Sequence, residues 1–148
     1  MTGKRTFVIV GAGMAGAHAA ETLRAEGFDG RVLLIGDEPE PPYERPPLSK
    51  DYLRGELERD RLNVHPDGFY AEHDIELRCG CAAVRLDISI NELVLDDGER
   101  LRYDRLLLTT GAEPRRLSIP GANLDGVLYL RRVETPTICA TAWSAAAR

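Results

Sequence analysis

The sequence predicts an α/β fold in which a parallel sheet carries a crossover helix and an antiparallel meander. A short, β-branched apolar run at residues 6–10 is typical of a buried parallel strand. The turn GAGMAG (11–16) follows it directly, and residues 17–28 read as a helix that ends near Gly27. A second apolar run with an acidic end, RVLLIGDE (31–38), completes a Rossmann-like strand–turn–helix–strand unit.

Composition limits the classes of function. The chain has 148 residues, about one domain, and a net charge of −5. Bulk electrostatics therefore disfavours nucleic acid as a partner. No apolar run reaches the ~18 residues that a membrane span requires, so no membrane partner is predicted.

The cysteines indicate a reduced compartment. Cys79, Cys81 and Cys139 are odd in number and poorly spaced for a secreted disulfide framework. Cys79 and Cys81 lie two apart in a run that reads as a strand, so both are expected on one face. No metal site is predicted, and the expected location is cytoplasmic.

The first residues offer an alternative interpretation. A basic start, an apolar stretch and a small-residue A-x-A (17–19) imitate a secretory signal peptide. Glycines at regular spacing interrupt the apolar stretch, and a nucleotide-binding turn explains them better.

Each glycine of the G-x-G-x-x-G motif has a physical role in this interpretation. Gly11 permits the tight turn, Gly13 lets a pyrophosphate approach the backbone, and Gly16 lets the helix pack closely on the strands, as Ala20 could one turn later. The helix N-terminus presents N–H groups to the phosphates. The predicted binding turn consists of Gly11, Ala12, Gly13, Met14, Ala15 and Gly16.

The acidic end of the second strand predicts which ribose is bound. Asp37 or Glu38 lies about twenty residues beyond the glycines, where a carboxylate accepts hydrogen bonds from an adenosine ribose without a 2′-phosphate. These residues alone do not distinguish FAD from NAD. A glycine-rich turn that binds nothing is the alternative.

The stretch PPYERPPLSK (41–50) predicts a stiff, basic loop. Neither a continuous helix nor a central strand accepts its four prolines. Pro46 and Pro47 restrict the backbone before any ligand arrives, which lowers the entropic cost of binding.

Together with VIVGAGMAGAHAAETLR, this stretch resembles the FAD-binding part of the pyridine nucleotide-disulfide oxidoreductase superfamily. The branch it resembles most is the ferredoxin and rubredoxin reductases of bacterial oxygenase systems, relatives of the mitochondrial apoptosis-inducing flavoprotein. The resemblance runs from about Thr6 to about Glu134, and RPPLSK is its most specific part.

The resemblance implies further contacts with FAD. Arg45 would contact the adenosine end, and Lys50 would approach the reactive nitrogen of the flavin as the catalytic residue. The backbone at Ala83 would meet the adenine, Thr110 and Gly111 would pass close to the cofactor, and Arg131 would lie near the pyrophosphate. Without the resemblance, Arg45 is a solvated loop charge, Lys50 a first-turn helix lysine after Ser49, and Arg131 an exposed strand-end arginine.

The resemblance also implies the electron path. The dithiol branch carries a redox cysteine pair near the proline loop, whereas no cysteine lies between Met1 and Cys79. Electrons should therefore pass from NAD(P)H to FAD and then singly to a ferredoxin- or rubredoxin-type iron–sulfur protein.

The remaining sequence predicts supporting structure. Residues 62–77 read as a loop, a short helix and the start of a strand. The runs 81–87, 92–98 and 100–111 read as a meander of short strands, with Asp97-Gly98 as a hairpin turn. The stretch LLLTTGAEP (106–114), which overlaps the last run, reads as an apolar strand that ends in Thr-Gly-Ala. His18, His65 and His73 have no partner at useful spacing and are expected to be packing or surface residues.

We expect residues 1–133 to form a partial FAD-binding domain and residues 134–148 an atypical tail. If the reading frame is shifted back by one base from Glu134, and G or C is assumed at third codon positions, the translation becomes an acidic stretch with leucines on one helical face. A frameshift product is therefore expected; a natural short tail is the alternative. By the resemblance a complete reductase is more than twice as long, so this chain alone should not oxidise NAD(P)H above the free-flavin background.

The sequence is also compatible with three other functions. The chain could be a dinucleotide-binding module without turnover, completed by a partner chain that would co-purify. It could be a poorly folding fragment with exposed apolar edges that aggregates. An NAD-only dehydrogenase is the weakest alternative, because the proline loop replaces a second crossover helix.

Overall fold

The strands and helices follow one another in the order that the sequence predicts, and a computed structural model describes them for residues 4–136. The elements are β1 (Thr6–Val10), α1 (Met14–Ala25), β2 (Arg31–Ile35), α2 (Phe69–Glu72), β3 (Ile75–Arg78), β4 (Ala83–Asp87), β5 (Glu92–Leu95), β6 (Arg100–Arg102) and β7 (Arg105–Leu108). The chain divides into two compact units. One contains the residues up to Tyr43 and Val64–Gly111, and the other contains Glu44–Asn63 and the residues from Ala112 onward.

The first unit is built on a parallel sheet with strand order β3-β2-β1-β7. Strand β1 pairs with β2 from Thr6↔Arg31 to Val10↔Ile35, and with β7 from Phe7↔Arg105 to Val10↔Leu108. Because β1 lies in the interior of this sheet, it must be apolar on both faces. The predicted fold class is confirmed for this unit.

Alternate residues of β1 and β2 belong to two separate hydrophobic cores, one on each face of the sheet. Val8, Val10, Leu33 and Ile35 pack on one face of the sheet, against leucines of the meander. Ile9, Val32 and Leu34 pack on the other face, together with Ala17, Ala20, Tyr70 and Ile75 from α1, α2 and β3. The unit is therefore a three-layer arrangement with the parallel sheet in the middle.

Helix α1 begins three residues earlier than the sequence pattern predicted, directly at the glycine turn. It ends in a Schellman motif, in which Phe28 N–H donates to Leu23 O at 2.9 Å and Gly27 N–H donates to Arg24 O at 3.0 Å. Gly27 therefore terminates the helix, as predicted. This stop fixes the length of α1 between the two apolar strands.

The antiparallel meander contains β4, β5 and β6 in that order. The predicted Asp97-Gly98 turn is confirmed: Gly98 N–H donates to Leu95 O at 3.0 Å, and Leu95 N–H donates to Glu99 O at 2.9 Å. The apolar strand predicted from residue 106 is observed as β7, but it pairs with β1 in the parallel sheet and does not belong to the meander. Asp104 separates β6 from β7, because its carboxylate accepts from Thr6 N–H at 2.6 Å and draws the chain back to β1.

The cysteine prediction was wrong in one respect. Cys79 and Cys81 lie after the end of β3, and the backbone turns between them at Gly80, with φ 69°. They are therefore not two residues on one face of a strand. Both are half-buried free thiols. Burial, with a smaller contribution from Cys81, raises the pKa of the Cys79 thiol, so little reactive thiolate forms near neutral pH.

The second unit contains two short 3₁₀ helices, Pro46–Ser49 and Arg59–Leu62. Prolines occupy the first turn of Pro46–Ser49, where their missing N–H groups cost nothing. Lys50 caps the end of this turn, and its N–H donates to Pro47 O at 2.9 Å. It is therefore not a first-turn helix lysine after Ser49, which removes that alternative.

Within residues 4–136, no helix is both long enough and apolar enough to cross a membrane. Residues 137–148 of the predicted tail, and Cys139 among them, lie outside the described residues.

The Arg31–Glu76 pair links β2 and β3 and gives a pH-dependent test of the sheet. Two hydrogen bonds of 2.7 Å join the guanidinium to the carboxylate, and they hold the pKa of Glu76 below its ordinary value. A depressed carboxyl pKa stabilises the fold above the unfolded-state pKa of about 4.3, and this contribution is lost as the pH falls through the folded-state value. Since both side chains are partly exposed, we expect Glu76→Gln to cost about 0.2–1 kcal/mol at pH 7.

Urea unfolding of both proteins between pH 7 and pH 3 measures this difference. The gap between wild type and Glu76→Gln should close below pH ~4. Glu113→Gln, at an exposed carboxylate in an irregular segment, should show no such gap. A gap that stays constant across the pH range would contradict the assignment.

Candidate dinucleotide-binding site

The glycine turn connects β1 to α1 and lies against the carboxyl end of β7. Gly11 N–H donates to Ile35 O at 2.7 Å, so the turn is also tied to the end of β2. Gly11 has φ 113°, and a Cβ built on it would lie 2.1 Å from Thr109 O and 2.8 Å from Thr110 N. Both the backbone conformation and the contact require glycine at this position.

Gly16 brings α1 onto the same point. A Cβ built there would lie 2.1 Å from Gly11 O and 3.0 Å from both Leu34 Cδ1 and Thr109 Oγ1. Ala20, one turn later, is fully buried. The close helix–strand packing predicted for Gly16 is therefore confirmed.

Gly13 differs from the other two glycines because its surroundings are open. No atom outside its immediate neighbours lies within 4 Å of a Cβ built on it. Gly13 is the N-cap of α1, with no side-chain capping bond, and the first turn of the helix carries no acidic residue. The N–H groups of the first turn have no acceptor within the helix, and the positive end of its dipole can attract an anion.

Thr109 was missed by the sequence analysis, which named its neighbours Thr110 and Gly111. Its hydroxyl donates toward Gly11 O at 2.9 Å and lies 3.1 Å from Val10 O, and its N–H donates to Val10 O at 2.7 Å. Thr109 thus ties the end of β7 to the glycine turn. The repeated threonine in LLLTTG was the available signal.

The two acidic candidates at the end of β2 have different environments. Glu38 is buried and accepts a hydrogen bond of 2.5 Å from the Tyr43 hydroxyl, whereas Asp37 is exposed. Gly36 lies against the glycine turn, since a Cβ built on it would be 2.5 Å from Ala12 Cβ. Ala12, Asp37 and Glu38 therefore belong to one neighbourhood, in which Tyr43 is a second residue that the sequence analysis missed.

Ala83, Met14 and Ala15 lie on segments that begin close to the carboxyl ends of β1 and β2. Ala83 is half-buried at the start of β4, two residues beyond Cys81, whose N–H donates to Gly36 O at 2.9 Å. Met14 and Ala15 are exposed in the first turn of α1. Thr110 and Gly111 are exposed beyond β7, next to the contact with Gly11.

The second unit holds the three basic candidates. The Arg45 guanidinium donates to Arg131 O at 2.8 Å, across 86 residues of sequence. Both arginines are half-buried, and Lys50 is exposed. Arg45 therefore has a structural role within this unit, which the alternative of a solvated loop charge does not describe.

Two alanine substitutions separate the roles of the glycines. Gly16→Ala should cost about 1–3 kcal/mol in unfolding free energy, because the new methyl group would overlap backbone at Gly11. Gly13→Ala should stay within about 1 kcal/mol of wild type, because the added Cβ meets open space and only the capping preference changes. Urea unfolding measures both. Equal costs at the two positions would contradict the packing described here.

The sequence is similar to those of known proteins. A family described as pyridine nucleotide-disulphide oxidoreductase matches residues 5–145. Rhodocoxin reductase of Rhodococcus erythropolis is 48% identical over 126 residues, which are 85% of this chain and 30% of that protein. The ferredoxin–NAD(+) reductase component of the Pseudomonas putida p-cumate 2,3-dioxygenase system is 46% identical over 128 residues, which are 86% of this chain and 32% of that protein.

A solved structure agrees with these matches. The covalent complex of putidaredoxin reductase with putidaredoxin is similar, with a TM-score of 0.87 and 34% identity, over 95% of this chain and 34% of that one. The chain spans about a third of the length of the curated relatives it matches.

Proposed function

Because the chain belongs to the pyridine nucleotide-disulphide oxidoreductase family, we propose that it forms the FAD-binding part of an NAD(P)H-dependent reductase. In this proposal electrons pass from NAD(P)H through FAD to a ferredoxin- or rubredoxin-type iron–sulfur protein. The observation that carries the proposal is the glycine turn, where open space at Gly13 adjoins the N-terminus of α1. Relatives named as ferredoxin or rubredoxin reductases support the choice of acceptor.

The glycine turn fits the pyrophosphate of a dinucleotide. Without a side chain at Gly13, a phosphate can approach the backbone closely, and the first-turn N–H groups of α1 can donate to it. The close contacts of Gly11 and Gly16 hold this turn in one conformation. The turn would then bind without reorganising, which lowers the cost of ligand ordering.

The end of β2 fits an adenosine ribose. Asp37 is the better candidate for the ribose hydroxyls because it is exposed. The buried Glu38 carboxylate is engaged by Tyr43 and would hold the loop that carries Asp37. A carboxylate here favours a ribose without a 2′-phosphate, as in FAD. The backbone at Ala83, Thr110 and Gly111 would line the same part of the cofactor.

The three basic residues of the second unit complete the proposal. Arg45 would contact the adenosine end and Arg131 the pyrophosphate, and the hydrogen bond between them would fix both positions. FAD held by these residues would supply hydride acceptance from the nicotinamide and one-electron transfer to the acceptor. Lys50 would place a positive charge where the reduced flavin becomes negative.

The thiols support a path without a protein disulfide. Cys79 and Cys81 are free, and burial raises the pKa of Cys79. A redox dithiol needs an accessible thiolate of lowered pKa, so this pair is poorly suited to that role. The proposal therefore uses FAD as the sole carrier between the nicotinamide and the iron–sulfur protein.

Titration of the FAD-free chain with FAD, followed by flavin fluorescence, tests the cofactor. Wild type should bind FAD saturably, and Gly13→Val should weaken binding at least about tenfold, since the branched side chain would occupy the path of the pyrophosphate. Riboflavin, which has no pyrophosphate, is the matched ligand control, and its affinity should not change with Gly13→Val. Failure of wild type to bind FAD, or equal losses for both ligands, would reject the proposed site.

The redox potential of bound FAD tests Lys50. Lys50→Met should move the midpoint potential about 30–60 mV more negative, because a charge-assisted interaction of about 1.5–3 kcal/mol with the reduced form is lost. Spectroelectrochemical titration measures the shift. Lys4→Met, at the only other lysine in the chain, should leave the potential unchanged. An unchanged potential in Lys50→Met would remove this residue from the catalytic role.

A further inference from the structure

Two histidines and a glutamate meet on the outer side of α1. One candidate ligand atom from each of His18, Glu21 and His65 lies within 4.8 Å of the other two. Glu21 Oε2 is 3.1 Å from His18 Nδ1, one helical turn away, and 3.5 Å from His65 Nε2, in the segment that leads to α2. Among residues 4–136, these three side chains form the only cluster of at least three His, Cys, Asp or Glu residues with ligand atoms this close together.

These separations fit a metal ion. In a tetrahedral zinc site with bonds of about 2.0–2.1 Å, adjacent ligand atoms are about 3.3 Å apart. The two distances from Glu21 lie on either side of this value. The His18 side chain is 53% exposed, so its imidazole can rotate to close the remaining edge of the tetrahedron.

Packing holds the imidazole of His65 in place before any ion arrives. Its ring stacks on Phe69 at a centroid distance of 3.8 Å and meets Tyr70 edge-on at 5.6 Å. The side chain is only 9% exposed, and its Nε2 is buried without a hydrogen-bond partner in the described part of the chain. A buried polar atom that lacks a partner is costly, and a metal ion at this position would satisfy it.

An ion pair alone explains the cluster less well. Burial is the main influence on His65 and lowers the pKa of its ring, while Glu21 acts in the opposite direction and His18 and His73 add to the lowering. The Glu21 carboxylate lies 3.5 Å from His65 Nε2, which is longer than a well-formed N–H···O hydrogen bond.

We propose that His18, Glu21 and His65 form a binding site for a divalent transition-metal ion, with Zn²⁺ the best match. Two imidazole nitrogens and one carboxylate oxygen suit zinc, whereas Mg²⁺ and Ca²⁺ favour ligand sets made of oxygen alone. Three protein ligands leave one coordination position for water. The ion cross-links α1 to the segment before α2, so its binding stabilises the first unit. The site is independent of the proposed flavin chemistry.

Calorimetric titration of the chelator-treated, full 148-residue chain with ZnCl₂ alone tests the site. The three cysteines are replaced by serine in every protein, so that thiols cannot bind the metal. We expect one ion per chain, a zinc-dependent rise in Tm, and at least about tenfold weaker binding in His18→Gln and Glu21→Gln. Both substitutions lie at partly exposed positions of α1, so the fold should persist.

His73→Gln and Glu26→Gln are the matched controls, since they remove an imidazole and a carboxylate at the C-cap of α1, both outside the cluster. Both variants should bind zinc like wild type. Imidazole ¹⁵N NMR of the chain that carries only the three cysteine substitutions tests whether His65 binds zinc, without mutating His65. Zinc should shift the ring signals of His18 and His65 and leave those of His73 in place. Absence of one-to-one binding, or equal affinity in Glu21→Gln and Glu26→Gln, would overturn the proposal.

Discussion

The close contact between Gly16, Gly11 and the end of β7 is the constraint on which the first unit depends. A single added carbon at Gly16 or Gly11 would lie 2.1 Å from a backbone oxygen. Because these backbones touch, α1 can lie across β1 and still leave its N-terminus at the carboxyl edge of the sheet. The same contact places Thr109 where its hydroxyl reaches the carbonyl of Gly11. Packing and the candidate nucleotide site therefore share one set of atoms.

The central strands of the parallel sheet contribute side chains to two hydrophobic cores, one on each face of the sheet. Alternate side chains of β1 and β2 point to the helices on one face and to the meander on the other. This arrangement explains why residues 7–10 (FVIV) and 32–35 (VLLI) are apolar without interruption. It also fixes the register, because a one-residue slip would exchange the two sets of side chains between differently shaped layers. The positions of the loops at the carboxyl edge follow from that register.

Local chemistry in the sequence predicted much of this unit. The strand at 6–10, the stop of α1 at Gly27 and the Asp97-Gly98 turn each follow from residues close together in sequence, and each was correct. The errors have tertiary causes. Residues 100–111 read as part of the meander, but Asp104 bonds to Thr6 and sends β7 to a different sheet. Cys79 and Cys81 read as strand residues, but β3 ends where β2, its pairing partner, ends.

By itself the sequence determined the strand–turn–helix–strand unit and the break in regular structure at the prolines, because glycine spacing, strand periodicity and proline geometry act over a few residues. Only the tertiary structure decided which distant groups meet. It joined Arg45 to Arg131, gave Glu38 and Asp37 different environments, and brought His65 to the carboxylate of Glu21 beside His18. Such contacts depend on how sheet, helix and loops pack together. The spacing of residues along the sequence does not predict that packing.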